Sequence, residues 1–271
     1  MQKSSKIVQK NNVDLKKQIM YNFFVINIVG RRKTMEIEFT KQIPTVKFPS
    51  IREYEIKECG EKLVKLDPSE FLIYPFYFFQ GVPGAYHDIY VRESVRDMLR
   101  QVQKSLPKGV YLKVLDGYRP ICVYQRLWNF HVQDLKLKYP EETIETIEKK
   151  AAFIVSKPSY DNNRPSLHTT GGAISVTLSL QTGIELNMGT AYRDFSDRAW
   201  TNHFEKFEEN ETVKENRRIL YNAMTSAGFT NLPSEWWHYD YGDKFWAFFT
   251  GNTSIYGGIL DFDAPNRFPL K

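Results

Sequence analysis

The 271-residue sequence contains little cysteine: only Cys59 and Cys122. These two residues form neither a CxxC pair nor any spacing typical of metal ligands, which excludes a zinc-finger or thioredoxin-type motif. Two thiols cannot build a disulfide framework, so nothing in the cysteine content requires an oxidising compartment. We therefore expect a cytoplasmic location, unless the N-terminal residues prove to be a secretion signal.

Long apolar runs are also lacking. The apolar stretch 19–29 is interrupted by two asparagines, and about 20 apolar residues are needed to span a bilayer. As a signal peptide it has a basic start, but Arg31, Arg32 and Lys33 stand where a small-residue cleavage site belongs. We expect residues 1–34 to be a basic, poorly ordered leader. A signal peptide, with a secreted or periplasmic protein, and a weak membrane contact remain alternatives.

The third deficit is net charge in the body of the protein. The formal net charge is +5, yet residues 1–34 hold eight basic side chains and one acidic one. The remaining 237 residues therefore carry 29 basic and 31 acidic side chains. A near-neutral body, and a leader without alternating basic and aromatic residues, argue against nucleic acid as a partner.

The body contains the patterns of one mixed domain. No repeat, low-complexity tract or linker divides residues 35–271. Hydrophobic periodicity and boundary residues predict both helices and strands. The predicted segments are helices over about 91–105, 120–138, 141–155 and 211–227, and strands over 110–115, 173–178 and 236–241. The aromatic run 71–79, which contains Pro75, favours an edge strand or an extended wall segment over a central strand. Because the elements do not alternate regularly, we predict an α+β fold.

Two of the five histidines lie in informative contexts. His168 precedes a glycine-containing entry to a strand, and His238 closes the segment Glu-Trp-Trp-His that begins at Glu235. A carboxylate and an imidazole among large aromatic side chains suggest a metal ligand beside a general base, since burial raises the pKa of a carboxyl group. The other three histidines, His87, His131 and His203, have no comparable context and are interpreted as structural or exposed.

A further element is Asp116-Gly117-Tyr118-Arg119-Pro120, at a predicted strand-to-helix turn. An arginine at such a turn can point into a cleft and hold a carboxylate or a developing oxyanion. The alternative is a tight turn in which Arg119 pairs with a nearby acid.

The order of these elements resembles one family. The turn above, then the SxHxxGxA pattern from Ser166, then Met188-Gly189-Thr190, then EWWH from Glu235 follow one another along the chain. Together they resemble the zinc-dependent D-Ala-D-Ala dipeptidases of the vancomycin-resistance (VanX) type, within the hedgehog/D,D-peptidase superfamily. The resemblance runs from about Phe71 to Phe249. It implies a single α+β domain over residues 35–271, with a small, mainly antiparallel sheet flanked by helices and a central metal-type cleft.

The resemblance also implies roles for individual residues. His168 and His238 would bind zinc, and Glu235 would act as general base. Arg119 would stabilise the oxyanion or hold the substrate, with further substrate contacts expected from Tyr118 and Arg193. A catalytic zinc site of this type needs a third protein ligand, so that the fourth position stays open for water.

The sequence departs from the family at three positions. Ser175 stands where the family has an aspartate zinc ligand, and Asn187 and Arg193 stand where it has two more carboxylates. We therefore expect zinc to be bound weakly or not at all. The resemblance predicts a dipeptidase-like protein that acts on a small D-amino-acid dipeptide or cell-wall peptide. The alternative is an inactive or repurposed relative that binds a carboxylate-bearing peptide without zinc hydrolysis. The oligomeric state is not predicted.

Overall fold

The computed structural model describes residues 37–46, 55–207 and 210–270, which belong to one compact unit beginning at Ile37. The predicted leader, residues 1–34, lies outside these residues. In the described part of the chain, no helix combines the length and the hydropathy that crossing a membrane requires.

Six α-helices, seven β-strands and three short 3₁₀ turns make up the described residues. The strands are β1 Leu63–Lys65, β2 Leu72–Ile73, β3 Tyr90–Arg92, β4 Tyr111–Asp116, β5 Ala173–Ser179, β6 Thr230–Asn231 and β7 His238–Asp240. The helices are α1 Phe76–Phe79, α2 Glu93–Ser105, α3 Ile121–Lys138, α4 Ile144–Ala152, α5 Glu211–Ser226 and α6 Lys244–Thr250. The 3₁₀ turns are Leu167–Thr170, Asp197–Ala199 and His203–Lys206.

The central sheet has five strands in the order β2-β4-β5-β7-β6. All neighbours are antiparallel except β2 and β4, so the sheet is mixed, with a parallel pair at one edge. Strands β1 and β3 form a separate two-stranded antiparallel sheet, which the sequence did not predict. The α+β class with a small, mainly antiparallel sheet is confirmed. Every residue of β5 is buried, and this places the middle of the strand inside the molecule.

The predicted helices are present, with shifted ends. Helix α2 begins at Glu93 rather than at residue 91, because Tyr90–Arg92 pairs with β1 instead. Its buried face consists of Val95, Met98, Leu99 and Val102, at helical spacing. Pro120 precedes α3 with φ −58°, as predicted; a proline suits a helix start because the first helical N–H groups have no partner.

The aromatic run 71–79 is an edge strand only in its first part. Leu72–Ile73 pairs with the edge of the sheet, but Pro75 ends the strand and precedes helix α1. The fixed φ of proline, here −64°, is compatible with a helix start, and Pro75 has no N–H to donate to a neighbouring strand. The strand prediction for the second half of the run was therefore wrong. This helix matters for function because it carries Tyr77.

Candidate functional site

Three neighbouring strands bring three site positions into one line. Asp116, at the end of β4, pairs with Ser175 of β5, and Ser175 pairs with His238 of β7. Directly opposed residues of antiparallel strands project from the same face of the sheet. Ser175 therefore lies between an acid and a histidine. A register shift between Val114 and Asp116 marks the end of β4, as bulges commonly do beside sites.

His168 reaches the same place from the 3₁₀ turn that leads into β5. The turn ends at Gly171 with φ +72°, a conformation that favours glycine. The His168 and His238 rings meet edge to face, with centroids 5.1 Å apart, and both side chains are buried. The structure thus brings together the two histidines that the sequence singled out, 70 positions apart in the chain.

One ring nitrogen of each histidine is already engaged. His168 Nδ1 donates to the Gly117 carbonyl at 2.8 Å, and His238 Nε2 lies 2.8 Å from Asp240 Oδ1. Burial lowers the pKa of both imidazoles, and the nearby Arg119 charge lowers that of His168 further. Both rings are therefore neutral at pH 7. Metal-binding histidines are typically oriented in this way, by a carbonyl or carboxyl oxygen on the second nitrogen.

Glu235 lies at the rim of this arrangement. Its Oε2 is 3.9 Å from His238 Nδ1, and its side chain is 21% exposed, the most of any acid near the histidines. Solvent therefore reaches this carboxylate while the imidazoles below it are buried. This position suits a general base that takes a proton from water, the role that the resemblance implies for Glu235.

Arg119 is held by an acid and two aromatic rings. Its Nε and Nη2 donate to the same Asp116 oxygen, at 3.1 and 2.5 Å, and its guanidinium lies 4.5 Å from the ring centroids of both Tyr77 and Tyr124. Burial lowers the pKa of Arg119, but the Asp116 carboxylate together with neighbouring tyrosines holds the pKa well above the usual value. The turn thus does pair its arginine with an acid, the simpler of the two interpretations of this motif. The same arginine lies beside His168: its backbone N–H donates to the His168 carbonyl, and its charge lowers the pKa of the His168 imidazole.

Two buried acids, Asp240 and Asp243, lie next to His238, and Asp240 contacts its Nε2 atom. Asp240 contacts His238 and also the carboxyl group of Asp243, which caps helix α6 by accepting two backbone N–H groups. Burial raises the pKa of Asp240 to about 8 and that of Asp243 well above its usual value. Neither acid was predicted from the sequence. The only available signal was the position of Asp240, two residues after the histidine and on the same face of β7.

Arg193 reaches the wall of the site from the loop between β5 and α5. Its backbone is left-handed, with φ +64°. Its Nη1 donates to the Tyr77 hydroxyl, and its Nη2 lies 3.3 Å from His131 Nε2. His131, interpreted from the sequence as structural or exposed, is therefore part of this wall. Tyr77 was not predicted as a site residue either, because its segment was interpreted as a strand and nothing in the sequence linked it to the histidines.

Tyr118 and Asn187 lie apart from the histidines. The Tyr118 hydroxyl donates to the Ile259 carbonyl at 2.8 Å, and its ring packs among Tyr86 and Phe262. Asn187 is exposed, and its Oδ1 accepts the Gly189 N–H in a local turn. Of the three positions where the family pattern has carboxylates, Ser175 and Arg193 thus bear on the site, and Asn187 does not.

The donor set does not match a catalytic zinc site with three protein ligands. Across residues 37–46, 55–207 and 210–270, no group of three or more His, Cys, Asp or Glu side chains is arranged to hold a metal ion. His168 and His238 are suitably oriented, but Ser175 is a neutral hydroxyl where a carboxylate is needed. Asp116, on the other side of Ser175, is already engaged by Arg119.

Comparison with known proteins places these residues in one family. Residues 86–253 match the M15 peptidase family, described as D-ala-D-ala dipeptidase. The D-alanyl-D-alanine dipeptidase of Synechocystis sp. is 30% identical over 215 residues, which cover 71% of this chain and 86% of the relative. That of Enterococcus faecium is 31% identical over 161 residues, covering 56% of this chain and 72% of the relative.

Among solved structures, a mutant of the vancomycin resistance D,D-pentapeptidase VanY in complex with Zn(II) is 16% identical. The match covers 74% of this chain and 92% of that one, with a TM-score of 0.40. The family match spans Arg119, His168, Glu235 and His238, the residues that the fold brings together. The chain therefore belongs to the D-Ala-D-Ala dipeptidase family of M15 peptidases.

Proposed function

We propose that this protein binds small peptides of the D-Ala-D-Ala or peptidoglycan type through a free carboxylate, without hydrolysing them at a zinc centre. Family membership supports the peptide class. The observation that carries the proposal is the position of Ser175, which pairs across the sheet with Asp116 on one side and His238 on the other.

A serine at this position changes the electrostatics of the histidine pair. A zinc-binding aspartate brings a formal negative charge, whereas a serine hydroxyl is neutral and releases its proton only at high pH. Two neutral imidazoles and a hydroxyl form a poor site for a divalent cation, since zinc sites in proteins use Cys, His, Asp or Glu ligands. Arg119 lies beside His168, and Arg193 lowers the pKa of that histidine; both positive charges oppose a bound cation.

The same charges favour an anionic ligand. Arg119 uses Nε and Nη2 for Asp116, and its planar guanidinium has a further donor nitrogen, Nη1. Stacking between Tyr77 and Tyr124 holds the guanidinium plane in place, so little side-chain entropy is lost when a carboxylate binds. Glu235 at the rim is available to accept an N–H group of the peptide.

The second candidate is hydrolysis by an incomplete zinc site. It is favoured by the retained orientation of both histidines and by Glu235 near the free nitrogen of His238. The two candidates differ in whether zinc binds at physiological concentration and whether D-Ala-D-Ala is cleaved.

Calorimetric titrations with zinc and with D-Ala-D-Ala, beside a hydrolysis assay, separate the two. We expect the wild type to bind the dipeptide and to release no D-alanine with or without zinc. Ser175→Asp should bind zinc at least about 100-fold more tightly, because it supplies a direct ligand, whereas losing a supporting contact alone costs 10–100-fold. Ser175→Ala is the matched control and should leave zinc affinity unchanged. Zinc-dependent hydrolysis by the wild type would contradict the proposal.

A further inference from the structure

We infer that the site selects peptides that carry two carboxylates, the second of which is bound by Arg193. The inference rests on the proposed function and makes its ligand more specific. Arg193 lies in the loop between β5 and α5, at a position where the family pattern has a carboxylate.

The Arg193 side chain is directed by several contacts. Its Nη1 donates to the Tyr77 hydroxyl, its Nη2 donates to His131 Nε2 at 3.3 Å, and its guanidinium lies 4.9 Å from the Phe195 ring centroid. The backbone of Arg193 is left-handed, which carries a conformational penalty for a side chain other than glycine. Three contacts thus hold this guanidinium against the wall of the site, although the backbone that carries it is strained.

The charge of Arg193 is not neutralised by these partners. A phenol, an imidazole and a phenyl ring bear no negative charge when His131 is neutral, as expected for a nitrogen that accepts from an arginine. The adjacent Asp194 faces elsewhere, because its Oδ1 accepts the Ser196 N–H at 2.8 Å. In the described part of the chain, no carboxylate forms a salt bridge with Arg193. Arg119 differs in this respect, since Asp116 balances its charge.

Tyr77 connects the two arginines into one site. Its ring centroid lies 4.5 Å from the Arg119 guanidinium and 5.4 Å from that of Arg193. One buried aromatic side chain therefore separates two positive charges, of which one is balanced. A ligand with one carboxylate leaves the Arg193 charge unmatched, and a ligand ammonium placed there is repelled. A second carboxylate on the ligand pairs with Arg193 in a charge-assisted hydrogen bond.

Isosteric dipeptides that differ by one charge test the inference directly. Calorimetry on the full chain compares D-Ala-D-Glu with D-Ala-D-Gln, in which the second residue differs. It also compares D-Glu-D-Ala with D-Gln-D-Ala, in which the first residue differs. The side-chain carboxylate is thus tested at both positions of the dipeptide. We expect the acidic member of at least one pair to bind about 10-fold more tightly, as a charge-assisted contact provides. The preference should weaken with added salt.

Arg193→Gln should abolish this preference, so that the acidic and amide members of each pair bind with affinities equal to within about twofold. Arg198→Gln is the matched control, since Arg198 is exposed, lies in the same loop and stacks on Phe204 away from Tyr77. Equal wild-type affinities within both pairs would overturn the inference and leave carboxylate binding intact, and that comparison needs no variant. Absence of binding of every dipeptide at millimolar concentration, D-Ala-D-Ala included, would overturn the proposed function itself.

Discussion

Arg119 and Arg217 are both almost fully buried, yet their surroundings are opposite. Arg119 pairs with a carboxylate and stacks between two tyrosines. Arg217 donates instead to backbone carbonyls, at 2.8 Å to Met188, 2.5 Å to Trp200 and 2.8 Å to Arg198. Burial without a carboxylate partner lowers the pKa of Arg217 to about 9, which still leaves it charged at pH 7.

The difference separates an arginine that organises the chain from one that is available to a ligand. The carbonyls bound by Arg217 lie on both sides of Arg193 in its loop: Met188 before it, and Arg198 and Trp200 in and just after the 3₁₀ turn Asp197–Ala199. All three nitrogens of Arg217 are used. Arg119 keeps one nitrogen for an exchangeable partner, and its counter-ion is a side chain rather than the backbone.

The largest expected effect is on Arg217. Arg217→Met keeps most of the apolar volume but removes the donors of the Met188 and Arg198 carbonyls, and an unpaired buried carbonyl costs about 1–3 kcal/mol. We expect the free energy of unfolding, measured by urea denaturation, to fall by about 4 kcal/mol. Arg100→Met is the control, because Arg100 forms only exposed pairs with Glu70 and Asp97 and should change stability by less than about 1 kcal/mol. Similar losses of stability for the two variants would mean that Arg217 contributes no more to the fold than an exposed arginine does.

A smaller effect is expected at the Arg119 ion pair. Asp116→Asn leaves a buried guanidinium without its counter-charge, and removing one partner of a buried pair costs about 3–5 kcal/mol. Because asparagine still accepts a hydrogen bond, we expect a loss of about 2–3 kcal/mol in the same assay. The variant Asp116→Asn/Arg119→Met should recover part of this loss. A double variant that is less stable than the sum of its single changes would contradict an isolated ion pair.

The smallest effect concerns the pH dependence of His131. Burial, and then the Arg193 charge, lower the pKa of His131 in the folded state. The unfolded chain therefore binds a proton more readily, and stability falls as the pH decreases from above 6.5 towards the folded-state pKa. His131→Gln should lose this component, so that its stability decreases less than that of the wild type between pH 7.5 and 5, by less than about 1 kcal/mol. Identical pH profiles would mean that neither burial nor the Arg193 charge shifts the pKa of His131.

The candidate catalytic and ligand-binding residues were easier to predict from the sequence than the residues that position them. Glu235 and His238 share a short motif, and His168 and Arg119 lie at predicted strand ends, so pattern alone suggested a common site. Tyr77, Tyr124, His131 and Asp240 lacked such a signal, because an aromatic or acidic side chain becomes part of a site only through tertiary contacts. Pro75 illustrates the limit: the pattern predicted extended chain on both sides of it, whereas the structure begins a helix there and places Tyr77 against Arg119.

The left-handed backbone at Arg193 means that two local free-energy terms oppose each other at one residue. A glycine adopts that conformation with less backbone strain than an arginine does. It lacks, however, the guanidinium that contacts Tyr77 and His131. A single change to glycine therefore relieves the strain and removes the unbalanced charge together, at the expense of those contacts.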